Sequence, residues 1–135
     1  MPIKDFESIK QHILHLANNE PIIDTLYLYG SHAKGNANPN SDIDLAIIFS
    51  QPEEDILERR LRPELLALEW TNRLSLEEHS LSILDLELAP IPLAMGVLKT
   101  GKQLINNNPS HEFEVTGRIM SKWEIDFLHH YKNFG

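Results

Sequence analysis

A chain of 135 residues supports one ordinary domain with its own core and is too short for two. Its formal charge of −8 at pH 7 argues against nonspecific nucleic-acid binding, which needs a basic stripe to neutralise phosphates, and is easier to reconcile with a basic protein partner. No apolar run approaches a membrane span, the start MPIKDFESIK lacks the basic and apolar regions of a secretion signal, and cysteine is absent, so the expected setting is a reducing cytoplasm without disulfides or thiolate metal sites.

In chain order, Ile3, Phe6, Ile9, Ile13, Leu14, Leu16 and Ala17 fall largely at helical spacing over residues 3–18, and Asn18-Asn19-Glu20-Pro21 ends that pattern. A strand follows near 23–29, closed by a Gly30-Ser31 turn whose backbone can approach a ligand closely. After a linker rich in Gly, Asn and Pro, a second strand opens over 42–49, with Asp42 and Asp44 on one face and Ile43, Leu45 and Ile47 on the other. Residues 56–72 read as a helix with Ile56, Leu57, Leu61, Leu65, Leu68 and Trp70 as its buried side and Pro63 as a kink or break. A third strand is expected over 81–86, then a helix over 91–99 closed by a left-handed cap at Gly101, then a short edge strand at Gln103-Leu104-Ile105. The last segment carries Val115, Ile119, Trp123, Phe127 and Tyr131 every four residues. Such a stripe serves either the domain's own core or a docking surface for a partner or second copy through Trp123 and Phe127.

The chemistry concentrates between Gly30 and Ile48. Two carboxylates presented from one strand repel each other and resist burial, which calls for a neutralising cation. Magnesium fits best, since it takes oxygen ligands, commonly one or two carboxylates plus substrate phosphates. The Ser31 hydroxyl and nearby backbone N–H groups supply donors for a triphosphate. The EF-hand and P-loop spacings are absent, no Ser/His/Asp arrangement suggests hydrolysis, and His32, His129 and His130 read as surface residues.

With ten residues between Gly30-Ser31 and Asp42-Ile43-Asp44-Leu45, this segment resembles the nucleotidyltransferase signature of the DNA polymerase β superfamily. Among its members it is similar to the minimal nucleotidyltransferases (MNT), whose GS-x-A-x-G start and SDIDL finish are matched by Gly30, Ser31, Ala33, Gly35, Ser41, Asp42, Ile43, Asp44 and Leu45. Lys34 stands where that family commonly has Arg, keeping the charge and losing the bidentate fork.

The likeness implies a small α/β (α+β) nucleotidyltransferase fold, a short mixed sheet backed by helices, with 1–108 as the transferase-like part and 109–135 as a helical extension of the same domain. It implies an antitoxin of a type VII-like HEPN/MNT module. Such a protein adenylyltransferase moves AMP from ATP to a tyrosine of its cognate HEPN toxin with Mg2+ as cofactor. Asp42, Asp44 and Asp85 would be the catalytic and metal-binding residues, and Gly30, Ser31, Lys34 and Ser41 would bind the nucleotide. A noncatalytic antitoxin that neutralises by binding is the alternative. Transfer to a small molecule, as in the related aminoglycoside-modifying enzymes, is a weaker option, because 135 residues are expected to be too few for the extra substrate-binding domain those enzymes use. One departure bears on activity. The family's third strand often reads D-h-h-D-L, and here Ser82-Ile83-Leu84-Asp85-Leu86 puts serine at the first acid. Asp85 replaces that acid only if the strand twists or bulges, with Glu87 and Glu78 as poorer substitutes.

Overall fold

The computed structural model describes the backbone over residues 5–134 and the side chains over 5–129. Ile3 and the side chains of His130 and Tyr131, assigned above from sequence, lie outside those residues. Helix α1 spans Phe6–Asn18, and its first turn is capped by the Asp5 carboxylate, which accepts from the Ser8 N–H at 2.8 Å. Strand β1 (Ile23–Tyr29) leads into a one-turn helix α2 (Ser31–Lys34), a turn of helix where the sequence suggests only a loop. Strand β2 is Ile43–Phe49, helix α3 is Ile56–Arg73 and strand β3 is Leu81–Asp85. Helix α4 (Ile91–Thr100), edge strand β4 (Lys102–Asn106) and helix α5 (Pro109–Phe134) complete the chain.

The strands form one mixed sheet in the order β3-β2-β1-β4. β1 pairs antiparallel with β2 and β4, while β2 and β3 run parallel. A parallel pair needs a crossover, and α3 provides it. Strand alternation then sorts the side chains into two layers. Ile43, Leu45, Ile47 and Phe49 join Leu26 and Leu28 with Ile13 and Ala17 of α1 and Leu66 and Trp70 of α3. Tyr27, Ala46 and Ile48 face the other way, onto Ala94, Met95 and Val97 of α4 and Val115 and Ile119 of α5. Each fully buried Leu, Ile or Val in these layers contributes about 1.5–3 kcal/mol relative to exposure.

Three local expectations need correction. Helix α3 runs unbroken through Pro63, which is buried within it. The buried side of α3 is Pro63, Leu66, Trp70 and Thr71, whereas Ile56, Leu57, Leu65 and Leu68 are exposed, at 68%, 63%, 55% and 56%. Gly101 has φ −76° and ψ 163°, an extended rather than left-handed end to α4. Its small size matters for another reason: a Cβ there would press on the Leu28 carbonyl at 3.1 Å, so glycine lets α4 turn tightly into β4 against β1. The stripe on α5 divides. Val115 and Ile119 are core, Trp123 is half-buried with the Lys99 ammonium 5.4 Å from its ring centroid, and Phe127 is 56% exposed.

Candidate nucleotide-transfer site

The site forms where β1 ends. Antiparallel register sets Tyr29 opposite Asp44, and parallel register sets Ser82 opposite Asp44 on its other side. Tyr29, Asp44 and Ser82 therefore make a row across three strands on one face of the sheet. The Ser82 hydroxyl donates to Asp44 Oδ1 at 2.8 Å. Burial and then the Asp44 charge push the Tyr29 phenol above its ordinary pKa of 10.0, and the Ser82 hydroxyl pulls it partly back.

Gly30 is the corner on which this row rests. Its φ of 73° and ψ of −156° lie in a region essentially reserved for glycine. A Cβ built on it would run into the Asp44 carboxylate, with the Asp44 Cγ only 3.2 Å away, so the missing side chain is also what leaves room for that acid. Beyond the corner, the N–H groups of Ala33 and Lys34 turn back to the Gly30 carbonyl at 3.1 Å each. The preceding N–H groups, of Ser31 and His32, have no carbonyl within the turn to reach and are geometrically suited to an anion.

The connection to β2 is tied down by its own polar groups. Ser41 Oγ accepts from the Asn38 N–H at 2.9 Å, and Asn38 Oδ1 accepts from the Asn40 N–H at 2.8 Å, a local Asx turn. His32 stacks on Phe6 of α1, with ring centroids 4.0 Å apart, and its Nε2 lies 3.3 Å from the Ser41 carbonyl oxygen. Asp42 precedes β2 by one residue and is exposed, Asp44 is half-buried, and Lys34 is exposed.

Of the residues expected at a nucleotide site, Gly30, Ser31, Ser41, Asp42 and Asp44 fall on this corner and its loop, while Asp85 does not join them. It aligns with Ile47, on the face opposite Asp44, and it is 6% exposed. Its Oδ1 accepts from the Glu87 N–H at 3.1 Å, and its Oδ2 lies 3.9 Å from Arg62 of α3. Strand β3 stays regular, so the three-residue offset from Ser82 sends Asp85 to the other face. Burial raises its pKa above 3.8, with the Glu87 N–H and Arg62 opposing. Neither substitute fits better: Glu78 is exposed beside His79, and Glu87 pairs with His111 and Arg118 of α5. Among the described residues, no group of three His, Cys, Asp or Glu side chains could hold a metal ion. Sequence reasoning missed Tyr29, and it read His32, which is half-buried against Phe6, as a surface residue. Only the hairpin register, which the sequence does not print, places Tyr29 beside Asp44.

The family model for Polymerase beta, Nucleotidyltransferase matches residues 11–110, from α1 past the end of the sheet. The chain belongs to that nucleotidyltransferase family. Protein adenylyltransferase MntA of Shewanella oneidensis is similar to it, 30% identical over 89 residues. That alignment covers 66% of this nucleotidyltransferase chain and 58% of MntA, less than two thirds of the relative's length. Among solved structures, a toxin-antitoxin with AMP-PNP is similar at a TM-score of 0.69 and 24% identity, covering 92% of this chain and 93% of that one. A tri-AMPylated Shewanella oneidensis HEPN toxin in complex with MNT antitoxin is similar at a TM-score of 0.63 and 21% identity, covering 92% and 90%. At these identities the two structures establish the nucleotidyltransferase fold. Among the described residues, no helix is long and apolar enough to cross a membrane.

Proposed function

We propose that this chain is the antitoxin of a HEPN toxin and transfers AMP from ATP to a tyrosine hydroxyl of that toxin. The observation that carries the reading is the corner itself. Gly30, with no side chain, brings a ligand-accessible backbone against Asp44 at the end of a nucleotidyltransferase sheet. The name of the similar MntA, and the AMPylated toxin found with the similar MNT antitoxin, supply the reaction class and the acceptor. The AMP-PNP in the similar toxin-antitoxin structure supplies the nucleotide.

In this reading Asp42 and Asp44 hold magnesium. The donors are hard oxygens, Asp42 is exposed, and the bare Gly30 corner is what seats the Asp44 carboxylate at the end of the sheet, so the residues present fit that ion. Bound there, magnesium supplies positive charge against the phosphates. The Ser31 hydroxyl and the N–H groups of Ser31 and His32 hold the β and γ phosphates, with the exposed Lys34 as an added charge. The acceptor hydroxyl attacks the α phosphorus in line, its bond to phosphorus forms as the bond to the β-phosphate bridging oxygen breaks, and pyrophosphate leaves. The acceptor proton passes to solvent or to an Asp42 oxygen at the open side of the site.

Purified chain, α-labelled ATP, magnesium and the cognate toxin are expected to give labelled toxin. Asp42→Ala/Asp44→Ala is expected to reduce the label at least 100-fold, in line with losses when key electrostatic groups are removed. No label with the wild-type chain, or undiminished label with the double variant, overturns the enzymatic reading.

One observation favours a second reading, neutralisation by binding alone: serine occupies the place of the third acid, and Asp85 is held away by its strand parity and Arg62. Growth rescue that survives Asp42→Ala/Asp44→Ala and is lost in Ile125→Lys/Leu128→Lys, on the exposed end of α5, would select it.

A further inference from the structure

Asp44 is restrained from both sides. Its Oδ1 accepts the Ser82 hydroxyl at 2.8 Å from β3, and its carboxylate fits over Gly30 at the end of β1. A carboxylate oxygen committed to an internal donor has fewer lone pairs left for bridging two cations, while the donor fixes the direction in which the other oxygen points. Asp44 therefore offers mainly Oδ2 to a ligand. Asp42 stands one residue outside the strand, exposed, and adds a separate carboxylate. Nothing else acidic joins them: Asp85 is on the opposite face, and among the described residues no three candidate ligand side chains converge anywhere.

Two cations about 3.5–4 Å apart, the arrangement of two-metal phosphoryl transfer, need carboxylates that bridge them with both oxygens, and enough further ligands to offset four positive charges. A pair of carboxylates, one with an oxygen already engaged, does not meet that demand. It does suit one ion that completes its shell with phosphate oxygens and water. We infer that the site takes a single divalent cation per chain, and that Ser82 is a positioning residue whose hydrogen bond aims Asp44 at it. This rests on the nucleotide-transfer reading and narrows it. The site holds half the metal complement of a two-metal transferase, and the missing half is at Ser82.

Equilibrium dialysis of the full chain against radioactive Mn2+ and a non-hydrolysable ATP analogue, counting both metal and nucleotide retained, tests the inference. The wild-type chain is expected to retain one Mn2+ per nucleotide, and Ser82→Asp two. Ser82→Ala is expected to bind Mn2+ roughly tenfold more weakly, the usual scale for losing a group that orients a metal ligand, and Ser82→Thr to restore it by returning the hydroxyl. Ser82 is exposed, so these substitutions leave both core layers intact, which a thermal melt of each variant checks. Two Mn2+ per nucleotide on the wild-type chain, or unchanged affinity in Ser82→Ala, overturns the inference and leaves nucleotide transfer standing. No nucleotide retained by either wild type or Ser82→Asp overturns the nucleotide reading and the inference together.

Discussion

At the scale of single residues, Gly30 and Asp85 show opposite relations between stability and function. Gly30 adopts a backbone conformation that costs another residue about 1–3 kcal/mol, and Asp44 stands where its Cβ would be. Gly30→Ala is expected to lower unfolding free energy by at least that amount in urea titrations and to abolish nucleotide retention, because Asp44 must move. Asp85 is strain of another kind. Burial raises its pKa in the folded chain, so folding favours its protonated form. The stability it contributes is fully present below about 3.8, its unfolded value, and is lost as pH rises through the higher folded value. Asp85→Asn keeps an oxygen for the Glu87 N–H and removes the buried charge. It is expected to melt higher than wild type at pH 7, with the gap closing below pH 4. A lower melting temperature at pH 7 would mean that the attraction to Arg62 outweighs the cost of burial. The corner that carries the candidate residues Gly30, Ser31, Asp42 and Asp44 was legible in the sequence because one local turn and one strand fix its spacing. Tyr29 and Ser82 meet Asp44 only through pairing between strands, and no local pattern encodes that register.

At the scale of elements, α3 shows where periodicity misleads. Leu57, Leu61, Leu65 and Leu68 form one apolar row, and Pro63, Leu66, Trp70 and Leu74 form another on the far side of the same helix. Leucine counts favour the first, but Trp70 carries more area and joins the buried cluster that holds Leu45 and Ile47, so the helix turns that side inward. Pro63 sits in that inward row and removes the donor that the Arg59 carbonyl would otherwise meet, yet α3 continues through it to Arg73. The consequence is measurable. Trp70→Ala is expected to cost about 3–5 kcal/mol, while Leu65→Ala stays within about 0.5 kcal/mol, both read from chemical denaturation. Comparable losses from the two variants would mean the leucine row is the one in contact. The strands were easier to read than this helix, because Asp42-Ile43-Asp44-Leu45 alternates strictly and a one-residue slip would bury the acids.

At the scale of the whole molecule, one sheet is shared by two apolar layers, and each of the chain's two tryptophans belongs to one of them. Trp70 sits with α1 and α3, and Trp123 sits against the layer of α4 and α5. The family match ends at residue 110, just after α5 begins, which raises the question of whether that last helix unfolds with the rest. Three ties argue that it does. Val115 and Ile119 are buried on the sheet, the Tyr27 hydroxyl donates to Glu112 at 3.1 Å, and His111 Nδ1 lies 2.8 Å from the buried Asp24 carboxylate at the start of β1. Losing α5 would uncover Ile48 and Leu86 and leave Asp24 without its partner, so neither layer keeps its free energy when the other is lost. Trp70→Phe leaves fluorescence reporting only the α4/α5 layer, and Trp123→Phe only the α1/α3 layer. In each variant the urea midpoint from fluorescence is expected to coincide with the midpoint from circular dichroism, as a single cooperative transition requires. If the Trp70→Phe chain loses its Trp123 signal at clearly lower urea than its helicity, α5 is a separately unfolding attachment, and the sheet with α1 and α3 is the cooperative unit.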